Sequence, residues 1–218
     1  MTISHHPSDE TLLRFAAGRL PSGPAFVVAT HVSGCAACRD RVAAFETVGG
    51  ALLEEMPPTP LAPEALARVL AAIDGPPRPR PGERRRPEPP LLPDGHALPA
   101  PLLVCNLGPW RWFGAGIRVS RVTIPGDPAA RLNLLRVGAN RKLPEHGHAG
   151  LELTQVLSGS FSDRLGHYRP GDLAEVDSAV DHQPVADPDG ECICLAALEG
   201  EMRLGGLLGR LLQPLIRF

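Results

Sequence analysis

The sequence predicts an α+β protein with its two classes in separate domains: a small four-helix domain, then an antiparallel β-sandwich or barrel. Three observations carry that expectation. Apolar residues recur at spacings of three and four up to about residue 75, residues 76–101 turn to Pro and Arg, and after Trp110 the apolar pattern alternates. At 218 residues and 43% hydrophobic content the chain can bury a real core.

Ser8 is the expected N-cap of a first helix, with Asp9 and Glu10 in a turn that favours acid. Leu12, Leu13, Phe15 and Ala16 form its apolar face, and Gly18 ends it. A second helix is expected from about Gly23 to Val32. A third, from Cys35 to about Glu55, repeats Val42, Phe45, Gly49, Leu52 and Met56 and stops at Pro57-Pro58. A fourth opens at Pro63 and repeats Leu66, Val69, Leu70 and Ile73 before Asp74-Gly75. These make a domain over residues 1–75 whose core is small. Its third and fourth helices carry more apolar face than such a bundle can cover. Either the two faces bury each other or a protein partner covers them, and the pattern leaves both open.

Residues 76–101 hold Arg78, Arg80, Arg84, Arg85 and Arg86 among prolines and read as a solvated linker. The second domain, 102–218, has candidate strands at 117–124, 132–137, 153–157, 161–165, 173–176 and 192–198. A short closing helix over 204–215 is weakened by Gly205, Gly206 and Gly209.

Two clusters carry chemistry. His31, Cys35 and Cys38 stand at i, i+4 and i+7, with Ser33-Gly34 marking a break between two helices. Two thiols and an imidazole aimed at one spot suit a tetrahedral Zn²⁺ lacking one ligand. His5 and His6 are both candidates for the fourth; His6 precedes Pro7 and is biased to an extended conformation. The alternative is a buried or redox-active Cys pair with a bystander His. In the β-region, His146 and His148 alternate by two and so share a strand face. Glu152 returns to that face, and His182 lies some thirty residues on. Three imidazoles and a carboxylate form a divalent-metal site that zinc, iron, manganese or nickel would accept. Cys105, Cys192 and Cys194 read as packing residues, and Arg39 and Arg41 as a solvated helix face.

A formal net charge of -2 gives no global attraction to nucleic acid. No apolar run of about 18 residues is present, and the first residues carry no charged or apolar leader. Five cysteines, two in a metal-like spacing, fit a reducing compartment. The expectation is a soluble, cytoplasmic protein.

The second cluster resembles the cupin family. Its first motif matches at His146, His148, Glu152 and Gly159, with Asn140 where the first Gly is usual; its second matches only at Gly171 and His182, with Asp177, Ala179 and Ala186 in place of Pro, Gly and Asn. The two halves together resemble the ChrR-type zinc-dependent anti-sigma factors. The matching residues are His5-His6, Val28-Ala29-Thr30-His31 with Cys35 and Cys38, the run from Gly147 to Thr154, and the run from Cys192 to Ala197. That resemblance implies an N-terminal zinc-binding anti-sigma domain that holds an extracytoplasmic-function sigma factor, one to one, away from core RNA polymerase. It implies a structural zinc on His6, His31, Cys35 and Cys38. It also implies a second zinc on His146, His148, Glu152 and His182 in a cupin-like domain needed for release under singlet oxygen or organic hydroperoxide. No enzyme activity is implied. The competing reading is a cupin-type metal-dependent dioxygenase or isomerase with an accessory zinc module, since three His and one Glu can leave coordination positions for substrate. Few basic and aromatic residues surround the first cluster, which counts against a nucleic-acid-binding finger.

Overall fold

A computed structural model describes residues 2–75, 91–92, 95 and 97–204. Four helices come first: α1 (Asp9–Ala16), α2 (Ser22–Gly34), α3 (Ala36–Glu54) and α4 (Ala65–Asp74). The Ser8 hydroxyl caps α1 by accepting from the Thr11 amide, and Gly18 follows its end at φ +65°.

After a short 3₁₀ turn (Ala100–Val104) the regular elements among the described residues are all strands: β1 (Asn106–Leu107), β2 (Arg111–Gly114), β3 (Ile117–Thr123), β4 (Leu132–Val137), β5 (His146–His148), β6 (Glu152–Ser158), β7 (Phe161–Ser162), β8 (His167–Tyr168), β9 (Leu173–Val176), β10 (Val185–Ala186), β11 (Cys192–Leu198) and β12 (Met202–Leu204). The main antiparallel sheet runs β1-β3-β4-β11-β6-β9, with β2 also on β3. A three-stranded sheet, β10-β7-β8, and a pair, β12-β5, complete the barrel. Leu204, where a closing helix was expected to start, ends β12; residues 205–215 lie outside the described residues.

Strand β11 lies between β4 and β6, and both its faces are covered. Ile193, Leu195 and Ala197 belong to one core with Val27, Val28, Leu132, Leu134 and Leu153; Cys192 and Cys194 belong to a second core with Val156, Phe161 and Ala174. That explains the unbroken apolar run Cys-Ile-Cys-Leu-Ala-Ala-Leu, which alternation alone would not produce. Helix α2 supplies the cover on the first face. It is apolar on nearly every side, and such a helix is buried.

The linker reading therefore needs correcting on one point: the helices and the barrel do not stand apart but share a core. Leu92 and Leu98, inside the segment expected to be solvated, are buried in that core, and Leu102 follows them. The small helical core completes itself against the sheet. Arg14 pairs with Glu199 at 3.1 Å, and Ser8 and Thr11 hydrogen-bond the Glu175 carboxylate. At Gly23 the approach is so close that an added Cβ would stand 2.7 Å from the Arg131 carbonyl oxygen. Gly23→Ala is expected to lift α2 off the sheet and cost about 1–3 kcal/mol, read from the urea midpoint.

The far half of α3 and all of α4 behave otherwise. Helix α4 has no buried residue, and the two apolar faces do not bury each other. Leu52, Leu53, Met56, Leu66, Val69, Leu70 and Ile73 are all more than half exposed.

Two candidate metal centres

The first cluster sits where three segments meet. His31 is in the last turn of α2, Cys35 is the extended residue between α2 and α3, and Cys38 is in the first turn of α3. The N-terminal segment brings His6, whose Nδ1 is 3.4 Å from the sulfur of Cys35 and 3.4 Å from that of Cys38. One ligand atom from each of His6, His31, Cys35 and Cys38 lies within 4.8 Å of all the others. His5 points elsewhere: its ring lies against Tyr168, with Nδ1 3.4 Å from Asp172.

His31 is fully buried, and its Nδ1 donates to the Gly171 carbonyl at 3.0 Å. That bond fixes the tautomer and leaves Nε2 as an acceptor with no hydrogen-bond partner. A buried, unpaired acceptor beside two thiols is costly unless a cation completes it. The residues fit a zinc ion.

Burial, then the neighbouring His6, pulls the His31 imidazole down to about 4; burial, then the hydrogen bond with Cys35, pushes the Cys38 thiol up to about 12. Stability that depends on neutral His31 is thus present above its ordinary value of 6.5 and lost as pH falls through about 4. Chelated protein is expected to show a melting temperature that declines over that window, and His31→Gln to flatten the decline.

The second cluster lies inside the barrel. His146 and His148 come from β5 and Glu152 from the start of β6. His182 bridges to β5 through paired backbone bonds with His146, of 2.9 and 3.1 Å. Glu152 Oε2 is 2.8 Å from His148 Nε2, 3.5 Å from His146 Nε2 and 3.9 Å from His182 Nε2. Yet that oxygen has no well-formed hydrogen bond, and the Nε2 atoms of His148 and His182 face each other at 3.3 Å. Three ring nitrogens and a carboxylate oxygen thus converge on one point, an arrangement that fits a divalent cation. Burial alone would push Glu152 up, but the three imidazoles gathered round its carboxylate hold it well below the usual carboxylate range. Burial alone would pull His182 down, but Asp163 and Glu152 raise it to about 9.

The outer contacts are just as specific. His146 Nδ1 donates to the Pro144 carbonyl at 2.7 Å, Thr154 donates to Glu152 Oε1 at 2.9 Å, and Arg203 donates to the His148 carbonyl at 2.6 Å. Asp163, whose side chain is 1% exposed, accepts from His182 Nδ1 at 3.0 Å. Sequence reasoning missed Asp163, because no spacing links a hairpin carboxylate to an imidazole nineteen residues away.

Two departures from the cupin pattern find their physical reason. Asn140 takes the left-handed conformation, φ +59°, that a Gly would otherwise supply. Before His182, Asp177 Oδ1 accepts from the Ala179 amide at 2.9 Å, an Asx turn in place of the missing Pro and Gly. Two small cavities, of about 30 and 50 Å³, flank the cluster and share Leu135, Leu143 and Glu152. Cys192 and Cys194 line the first with sulfurs 3.4 Å apart. Their mutual hydrogen bond, burial and Glu152 hold the Cys194 thiol well above its ordinary value.

Comparison with known proteins places this geometry. A family model described as the ChrR Cupin-like domain matches residues 103–200. The Anti-sigma-E factor ChrR of Cereibacter sphaeroides is 40% identical over 100% of both chains. The crystal structure of Rhodobacter sphaeroides SigE in complex with the anti-sigma ChrR matches with a TM-score of 0.72 and 38% identity, covering 91% of this chain and 100% of that one.

Proposed function

This chain belongs to the ChrR family of anti-sigma factors, and from that premise we propose that it captures an extracytoplasmic-function sigma factor, one to one, and withholds it from core RNA polymerase. The observation that carries the reading is the apolar row that α3 and α4 leave in water. A patch of that kind, on helices that nothing among the described residues covers, is a partner surface. The solved relative is in complex with SigE, which supports a sigma factor as the occupant.

In this reading His6, His31, Cys35 and Cys38 hold a structural zinc, since four protein ligands leave no position open. His146, His148, Glu152 and His182 hold a second divalent ion, zinc in our assignment. The barrel, with its cavities beside Glu152, is the sensor that releases the sigma factor under singlet oxygen or organic hydroperoxide. Residues 1–75 act as the inhibitor, 76–101 as the connection and 102–218 as the sensor. Among the described residues no helix is long and apolar enough to cross a membrane, and the assigned compartment is the cytoplasm. A bound metal would supply Lewis acidity and fixed geometry in both sets; the protein supplies tautomers and orientation through Gly171, Pro144 and Asp163.

Co-purification from the native host, with metal analysis, tests this. The expected outcome is a sigma factor in equimolar amount and two zinc ions per chain. Iron in the barrel set with no sigma factor bound would favour the dioxygenase or isomerase reading instead.

A further inference from the structure

Ten consecutive residues touch both clusters. At one end of segment 163–172, Asp163 accepts from His182 Nδ1 at 3.0 Å inside the barrel. At the other end, the Gly171 carbonyl accepts from His31 Nδ1, also at 3.0 Å. Next to it, the Asp172 carboxylate accepts from the backbone amides of Ser4, His5 and Arg169 at 2.7, 3.0 and 2.9 Å. The Leu173 amide then donates to the His5 carbonyl at 3.1 Å, so the chain just before His6 is held from both sides.

The piece between these ends is stiff. Asp163 Oδ1 closes one turn by accepting from the amides of Leu165 and Gly166 at 2.8 and 3.1 Å. The Asp172 amide closes the other by donating to the Arg169 carbonyl at 2.8 Å. Between them Tyr168 stacks on Phe161 at 4.8 Å and meets the His5 ring at 4.5 Å. A closely packed body of this kind moves as a unit rather than deforming.

We propose that Asp163 and Asp172 are positioning residues for the two metal sets, and that segment 163–172 couples them. A change in ligation at His182 then loosens the grip on His6 and His31. When His182 leaves its place, Asp163 becomes a buried carboxylate without its imidazole, and its turn must rearrange. The same backbone carries that movement to Gly171 and Asp172. The proposal rests on both sets holding metal, as read above, and it names the route from sensor to inhibitor within that reading.

The test uses the zinc-loaded full chain and two readouts: zinc per chain, and the alkylation rates of Cys35 and Cys38 resolved by peptide mass. Asp172→Asn is expected to speed alkylation at least tenfold. Asp163→Asn, which touches neither thiol, is expected to weaken barrel zinc roughly 10–100-fold and to speed alkylation of Cys35 and Cys38 about threefold or more. In the double variant the two alkylation effects should not multiply, because both act through one body. Gly166→Ala gives a milder probe in case Asp163→Asn folds poorly: its new Cβ would stand 3.0 Å from His5 Nε2, away from every ligand. It should speed alkylation and weaken barrel zinc, each by less than Asp163→Asn does. Alkylation within twofold of wild type in both Asp163→Asn and Gly166→Ala would overturn the coupling, as would effects that multiply. Wild-type chain holding no zinc would instead overturn the metal reading itself.

Discussion

Cys38→Ala is expected to leave one zinc ion per chain and to abolish capture of the sigma factor. Cys38 is 3% exposed, and its sulfur is one of two that face His6 at 3.4 Å. Structural zinc sites contribute on the order of 10 kcal/mol of apparent binding free energy, and losing one ligand of four removes most of it. Here that loss falls on the junction of the N-terminal segment, α2 and α3. Helices α1 and α2 have 8 and 13 residues, too short to persist in water without tertiary support. The base of α3 would lose its anchor, and with it the orientation of the apolar row beyond. Sigma-factor affinity should fall at least about a thousandfold by calorimetry, which is roughly 4 kcal/mol, and far-UV circular dichroism should show lost helix. The barrel has its own second core around Val156, Phe161 and Tyr168 and should keep its metal. Full partner affinity in this variant would refute the structural role of the site.

The second large effect needs no unfolding. Leu52 on α3 and Leu70 on α4 are 61% and 51% exposed. Replacing both with Asp puts two charges into what should become a dry interface. Centrally placed hot-spot side chains are worth about 2 kcal/mol or more each, so the pair should weaken capture by about a thousandfold. The melting temperature of the chain alone should stay within a degree or two, because neither residue belongs to a core. Binding within threefold of wild type would move the partner surface elsewhere.

Much of this site was legible from spacing. The i, i+4, i+7 pattern of His31, Cys35 and Cys38 works because Cys35 is the extended hinge between two helices and Cys38 opens the second. The alternation of His146 and His148 works because β5 is a strand. Three features were hidden for physical reasons. The run in β11 announced a buried strand but not what buried it, since docking of α2 depends on residues more than 150 positions apart sharing one core, as Val28 and Leu195 do. Asp163 and the Gly171 carbonyl act through tertiary contact, and a backbone oxygen has no sequence signature at all. The short strands β1, β8 and β10 are two residues each, too short for any period to register, and the strand expected at 161–165 shrinks to the two residues of β7. By contrast, the surplus apolar face of α3 and α4 was visible in the pattern. Only coordinates could show that the two faces do not satisfy each other.

The position of β11 carries a consequence for biosynthesis. This strand is late in the chain but central in the main sheet, between β4 and β6, and it seats α2. On the ribosome, therefore, the cover over the inner face of α2 is not complete until residues 192–198 emerge. The nascent chain spends most of its translation with Val27 and Val28 only partly covered. During that interval a chaperone, or the sigma factor itself, has its best opportunity to shelter it.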